Sequence, residues 1–259
     1  MTAGNRLHNF TVVDAHAHLG PYFNFHVPGN DAASMVEEMD RVGISQAWIS
    51  AHASLASDYV FGNDEVLRAA REFPCRFLAY ATPNPNYASE VENELNRLLA
   101  EAQVRMIKLH PAIHQYPIDG RAYEPVWRAA CARRLPVLVH VWKGCQYCDP
   151  MRFAHVAARH EQIAFLLGHC GGPDGVEDSV RVAQDQENVL LDLAGSHAAY
   201  GLVEKLVRDV GSEKIVFGSD TPFLSPAGQL GKLLYAEISD EDKQRILGGN
   251  ARRLCGAAP

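Results

Sequence analysis

The chain has 259 residues, of which 47% are hydrophobic and 21% charged, and its formal net charge is −7 at pH 7. Its 24 Lys and Arg side chains form no cluster, which argues against nucleic-acid binding. No apolar stretch approaches the roughly 20 residues of a membrane span, and the N-terminus lacks the apolar core of a signal peptide. We therefore expect a cytoplasmic protein with one α/β domain over residues 1–259.

Short apolar runs alternate with stretches of helical spacing along the whole chain. The runs predict strands at 11–16, 45–51, 76–82, 104–110, 136–141, 163–168, 188–193 and 214–219. The stretches between them predict helices at 31–42, 63–72, 88–101, 121–134, 151–159, 174–185, 199–209 and 239–248. This alternation predicts a closed (β/α)8 barrel. A doubly wound open sheet is the alternative, although the glycine-rich turn that usually follows its first strand is absent.

Polar side chains lie at the carboxyl ends of most predicted strands. They are His16, His18, His52, Lys108, His110, His140, His169, Asp192 and Asp220. Residues i and i+2 of a strand point to the same side, so His16 and His18 could form half of a metal site. A single such residue is more often structural. In a barrel, however, the strand ends converge on one face, and we expect one cluster of His and Asp side chains there.

Six segments carry a family resemblance that spans residues 12–256. They are VVDAHAHLG, MIKLHP, LPVLVHVW, FLLGHCGG, IVFGSDTPF and ILGGNARRLCG. Together they resemble the amidohydrolase superfamily, in particular its second group, whose members are metal-dependent (β/α)8 hydrolases and decarboxylases. The resemblance implies a set of metal ligands, namely His16, His18, His140 and Asp220. It also implies that Asp220 accepts a proton from the metal-bound water, and that His169 binds a second metal or polarises the substrate.

The chemistry of these side chains is consistent with such a site. Three imidazoles and one carboxylate suit Zn²⁺ best, and also suit Mn²⁺, Fe²⁺ or Co²⁺. A metal ion lowers the pKa of bound water from about 15.7 toward about 7, which supplies hydroxide at neutral pH. We expect one or two ions per chain.

The fourth predicted strand leaves the number of ions open. Lys108 and His110 lie on the same side of it. Lys108 could be carboxylated and bridge two ions, could bind a substrate anion, or could pair with an acid. With His169, these two residues are candidates for a second metal site or for substrate contacts.

Loops after the strands are expected to form the pocket. Their aromatic residues are Tyr22, Phe23, Phe25, His26, Trp142, Tyr147 and Phe223. Lys143 and Arg152 are candidates to meet a substrate carboxylate. Cys145 and Cys148 form a C-x-x-C pair with no second pair, so we expect free thiols rather than a structural zinc site.

The main functional prediction is a metal-dependent hydrolase that uses activated water to cleave an amide, ester or lactone bond of a small molecule. A non-oxidative decarboxylase of an aromatic or unsaturated carboxylic acid is the alternative. The compact chain favours the hydrolase, because chains that resemble the decarboxylases are usually longer. A non-catalytic metal-binding barrel is a third hypothesis. No nucleic-acid or membrane partner is expected, and a homodimer is expected only because dimers are common.

Overall fold

The computed structural model describes residues 10–56 and 58–256. It contains one sheet of eight parallel strands, each paired with the next along the chain. The strands are β1 (Val13–Leu19), β2 (Gln46–Ala51), β3 (Phe77–Ala81), β4 (Val104–Leu109), β5 (Val137–His140), β6 (Phe165–Gly168), β7 (Val189–Asp192) and β8 (Ile215–Val216). Every predicted strand overlaps an observed one.

The sheet closes where its first strand meets the segment around β8. The amide of Ala15 donates to the carbonyl of Phe217 over 2.9 Å, and Asp220 N donates to the carbonyl of His16 over 2.8 Å. The buried Asp14 carboxylate accepts hydrogen bonds from the backbone amide and the hydroxyl of Ser219. Burial raises the pKa of Asp14 to about 7. These bonds join the first and last strands, so the predicted (β/α)8 barrel is confirmed and the open sheet is excluded.

Helices follow the strands. They are α1 (Ala32–Val42), α2 (His52–Leu55), α3 (Tyr59–Glu72), α4 (Val91–Leu98), α5 (Pro111–His114), α6 (Glu124–Arg133), α7 (Pro150–Arg159), α8 (Val176–Asp185), α9 (Leu202–Val210), α10 (Pro226–Leu234), α11 (Asp240–Gln244) and α12 (Asn250–Leu254). Asp31 caps α1, because its side chain accepts a hydrogen bond from the amide of Ser34 over 3.0 Å. The described residues contain no helix long and apolar enough to cross a membrane.

The helix predicted at 63–72 begins earlier than the sequence indicates. Its N-terminal cap is Asp58, which accepts from the amide of Phe61. Asn63 is instead buried, and its amide group exchanges two 3.1 Å hydrogen bonds with the backbone of Thr82. The helix therefore begins at Tyr59 and not at Asn63, so the predicted start was wrong. The side chain of Asn63 instead links α3 to the chain after β3.

One apolar cluster fills the barrel interior. Its strand residues are Val13, Ala15, Trp48, Tyr80, Met106, Leu138, Leu166, Leu190 and Val216. Strand side chains alternate, so residues two positions further along a regular strand also point inward, one layer nearer the carboxyl end. That layer is polar and contains Ser50, Thr82, Lys108, His140 and Asp192. β1 has a register irregularity between Asp14 and Ala17, which lets its two histidines join this layer although Ala15 also points inward.

Candidate metal centre

His16 is buried on β1 and held in one orientation by β7. Its Nδ1 lies 2.7 Å from Oδ2 of Asp192. A carboxylate accepts hydrogen bonds, so Nδ1 carries the hydrogen and Nε2 keeps a lone pair. Burial lowers the pKa of His16 to about 3, which keeps the ring neutral. A neutral imidazole braced by a carboxylate is the usual form of a metal-binding histidine.

His18 and Asp220 lie beside this histidine. Nδ1 of His18 lies 3.0 Å from the hydroxyl of Ser50, and its Nε2 lies 3.2 Å from Oδ1 of Asp220. The same carboxylate oxygen lies 3.8 Å from Nε2 of His16. Burial acts to raise the pKa of Asp220, but the hydrogen bond from His18 and the neighbouring histidines hold it well below its usual value. The carboxylate is therefore ionised and faces two imidazoles.

His169 and His140 form the other side of the cluster. Nδ1 of His169 lies 3.2 Å from the carbonyl of Ala194, so Nδ1 donates there. Its Nε2 lies 3.0 Å from Nδ1 of His140 and accepts the hydrogen bond from that ring. The ring of His140 stacks on His110 with their centres 3.9 Å apart, and burial lowers the pKa of both rings well below the usual value.

The predicted site residues thus meet on one face of the barrel. Ligand atoms of His16, His169 and Asp220 all lie within 4.8 Å of one another. His18 and His140 do not belong to this trio, but each contacts one of its members. His169, predicted as a catalytic or second-metal residue, lies nearer the centre than His140 does. The assignment of individual metal ligands stays a prediction.

Lys108 is buried on β4 and touches this centre. Its Nζ lies 2.7 Å from Nε2 of His16, and burial lowers its pKa to about 8. The amine contacts an imidazole rather than an acid, so the simplest expectation, an ion pair, is not what the structure shows. The Lys108 ammonium lies against the lone pair of His16 Nε2 and near Asp220 and Asp192. The ligand atoms therefore surround a position that favours positive charge. The donor set therefore fits a divalent metal.

Three residues with roles at this centre were missed as site residues. Asp192 was noticed at a strand end but given no role, although it bonds His16 and also accepts from the amide of His169 over 3.2 Å. Ser50 orients His18. Strand side chains alternate, so Ser50 points into the barrel like Trp48, and Asp192 points into it like Leu190. This alternation could have identified both residues.

His52, the third of these residues, packs against the centre. Its Nδ1 lies 2.7 Å from the carbonyl of Gly20, and its ring centre lies 4.9 Å from that of His18. Burial lowers its pKa to about 3. Phe223 covers the ring, with centres 4.4 Å apart, and Tyr22 packs on Phe223.

Both cations that are candidates to bind a substrate carboxylate form ion pairs with acidic side chains. Arg152 pairs with Asp119 at 2.8 Å, and Lys143 pairs with Asp178 at 2.8 Å. None of the six cysteines, Cys145 and Cys148 included, forms a disulfide.

A cavity of about 660 Å³ opens among the loops that follow β1 to β4. Its lining side chains are uncharged, and they include Asn84, Asn86 and Ile113. The amide of Ile113 donates to Nδ1 of His110 over 3.3 Å, which connects the cavity wall to the centre. The volume is in the range of small-molecule pockets.

Comparison with known proteins gives one family and several relatives. The family model described as Amidohydrolase matches residues 13–256. The chain is 23% identical over 238 residues to a 2-amino-3-carboxymuconate-6-semialdehyde decarboxylase of Dictyostelium discoideum, an alignment that covers 76% of this chain and 66% of that relative. The chain thus spans slightly less than two thirds of the curated relative.

Two solved structures have the same fold. A 5-carboxyvanillate decarboxylase of Novosphingobium aromaticivorans, complexed with manganese and 4-hydroxy-3-methoxy-5-nitrobenzoic acid, aligns with a TM-score of 0.76 and 14% identity over 99% of each chain. A 2,6-dihydroxybenzoate decarboxylase from Rhizobium aligns with a TM-score of 0.75 and 18% identity, over 95% of this chain and 99% of that chain.

Proposed function

The chain belongs to the amidohydrolase family and is an enzyme, and from this premise we propose that it is a metal-dependent, non-oxidative decarboxylase of a small aromatic or unsaturated carboxylic acid. The observation that carries the proposal is the convergence of His16, His169 and Asp220, with their ligand atoms within 4.8 Å. The named activities of the three relatives described above, all decarboxylases, favour this alternative over the predicted hydrolase.

The metal would be held by the predicted ligands, His16, His18, His140 and Asp220, with His169 beside them. It would supply a Lewis acid that binds and polarises oxygen atoms of the substrate. We propose one divalent ion, Zn²⁺ or Mn²⁺. Imidazole and carboxylate donors suit both metals, and manganese is present in one solved relative.

Lys108 is placed to contact both the metal site and the substrate. Its amine lies 2.7 Å from the His16 lone pair that the metal needs, so the ion and the amine compete for that atom. We propose that ion binding releases the Lys108 ammonium, which then pairs with the carboxylate of the incoming acid. A carboxylated Lys108 would instead add the mass of one CO₂, which native mass spectrometry at neutral pH detects.

The reaction replaces the bond between carbon and carboxylate with a bond between carbon and hydrogen, and it releases CO₂. The carbon therefore needs one proton. We assign its delivery to Nε2 of His169, which takes up a proton from solvent water in each turnover; in the free protein this nitrogen accepts a hydrogen bond from Nδ1 of His140. Asp220 remains ionised and balances the positive charge of the centre.

The test combines metal analysis with product detection. Protein purified without chelator is assayed for bound metal, for CO₂ release from hydroxy- and aminobenzoates and unsaturated acids, and for hydrolysis of amides, esters and lactones. We expect CO₂ release that is lost on chelation and restored by Mn²⁺ or Zn²⁺. His169→Asn should lower this rate by about 100-fold or more, and the exposed His155→Asn should not. Hydrolysis without CO₂ release from any acid would overturn the proposal.

A further inference from the structure

Cys145 and Cys148 lie on one tight turn in the loop after β5. The amide of Cys148 donates to the carbonyl of Cys145 over 3.2 Å, which is the hydrogen bond of a β-turn. A β-turn brings its first and last Cα atoms to within about 7 Å. Disulfides join residues whose Cα atoms lie about 4.4–6.8 Å apart. The backbone therefore already holds the two cysteines at a separation that a disulfide can span.

The two thiols contact each other and differ in exposure. Burial, together with the hydrogen bond between the two thiols, raises the pKa of Cys148. Cys148 is fully buried, whereas Cys145 is partly exposed. Since accessible thiols react first, a small oxidant should react with Cys145 and leave Cys148 beside the modified sulfur.

We propose that Cys145 and Cys148 form a thiol–disulfide pair that a small-molecule disulfide oxidises reversibly. The Cys145 thiolate attacks one sulfur of that disulfide, forms a mixed disulfide and releases one thiolate. Cys148 then loses its proton to water and attacks the sulfur of Cys145, which forms the intramolecular disulfide and releases the second thiolate. The two released thiolates take up the two protons that the protein lost. Two protein thiols are thus oxidised while one external disulfide is reduced.

The same turn holds a side chain that packs on the metal centre. The amide of Trp142 donates to the carbonyl of Cys148 over 3.1 Å, and the carbonyl of Trp142 accepts from the amide of Cys145 over 3.0 Å. The indole ring lies parallel to the ring of His140, at 4° and with centres 6.0 Å apart. A disulfide brings the sulfur atoms to about 2.05 Å, closer than hydrogen-bonded thiols lie, so the turn must contract. We therefore expect oxidation to move Trp142 relative to His140.

The test treats the Mn²⁺-loaded protein with glutathione disulfide and then blocks the remaining thiols with N-ethylmaleimide. Trypsin cleaves after Lys143 and Arg152, so peptide 144–152 carries Cys145 and Cys148 and no other cysteine. We expect this peptide to lose the mass of two hydrogen atoms and to take up no N-ethylmaleimide. Dithiothreitol should reverse both effects. The tryptophan fluorescence of the intact protein should change on oxidation and return on reduction.

Two variants separate the roles of the thiols. Cys148→Ser should stop at the mixed disulfide and retain one glutathione on Cys145. Cys145→Ser should retain none in this peptide, because Cys148 is buried. Cys75→Ser is the matched control, since it removes an exposed thiol between α3 and β3. This control should form the disulfide and change its fluorescence as the wild-type protein does.

A third variant tests the link to the metal centre. Trp142→Phe should form the disulfide but lose the fluorescence change. Absence of the intramolecular disulfide from the wild-type peptide would overturn the proposal, and so would equal uptake of glutathione by Cys145→Ser and Cys148→Ser. A disulfide that forms without a fluorescence change, or a change that persists in Trp142→Phe, would refute the movement of Trp142. None of these measurements depends on the reaction that the protein catalyses.

Discussion

Replacement of Asp192 by asparagine tests the bracing of the metal centre. Oδ2 of Asp192 accepts from Nδ1 of His16 over 2.7 Å and from the amide of His169 over 3.2 Å, while Oδ1 accepts from the amide of Ala194 over 3.1 Å. Asparagine has only one accepting oxygen. If that oxygen faces the two histidines, the NH₂ group faces the amide of Ala194 and leaves that donor unpaired.

The expected effects follow from this count of donors. One unpaired buried amide costs about 1–3 kcal/mol of unfolding free energy. In the opposite orientation, the NH₂ group drives the hydrogen of His16 onto Nε2 and removes the lone pair that would bind the metal. Loss of the negative partner of a ligating histidine lowers metal affinity by about 10- to 100-fold. Asp192→Asn should therefore show both defects.

Chelator competition measures the affinity for Mn²⁺ or Zn²⁺, and urea unfolding measures the stability. Asp185→Asn is the control, since Asp185 is an exposed carboxylate at the end of α8 and its replacement makes the same charge change. A folded Asp192→Asn protein whose metal affinity stays within about threefold of wild type would refute the bracing role.

Three further substitutions test close packing and capping. Gly218→Ala should abolish metal binding, measured by elemental analysis, because a Cβ there would lie 2.1 Å from Oδ1 of Asp192; full metal occupancy would contradict this. Gly172→Ala should weaken ligand binding, measured by calorimetry, because its Cβ would lie 2.8 Å from the ring of Trp142 and its φ is +78°. Unchanged affinity would show that Trp142 is not part of the pocket wall. Asp31→Ala should lower the free energy of unfolding by about 1 kcal/mol through loss of the α1 cap, with no change in metal content.

Strand ends were predictable because their signal is local. An apolar run that ends in a polar residue indicates both a strand and its carboxyl end, as at His140 and His169. The carboxyl ends of all strands lie on one face of the barrel. The partners of those residues were not predictable in the same way. Asp192 and His16 are 176 residues apart, and only the barrel topology brings their side chains to 2.7 Å.

The contact of Lys108 depends on three-dimensional packing in the same way. Spacing along β4 showed that Lys108 and His110 share a side, but not that the amine reaches across the barrel to His16. The ion pairs of the loop cations were not predictable either, since the acidic partners of Lys143 and Arg152, Asp178 and Asp119, are distant in sequence.

Chain length and the comparisons point to different interpretations. The compact chain favours the hydrolase, whereas the relatives described above are named as decarboxylases. The loops around the centre have shapes that the sequence pattern does not encode.

Because the centre lies across the junction between β1 and β8, we expect the metal to bind only when the whole barrel has folded. His16 and His18 come from the start of the chain and Asp220 from near its end, and they meet across the junction held by Asp14. A nascent chain that still lacks its last strand also lacks Asp220. An ion that binds only the closed barrel stabilises it through mass action. We therefore expect the metal to hold the two ends of the chain together. When the metal is removed, the hydrogen bonds of this junction should open before those of the other strand pairs.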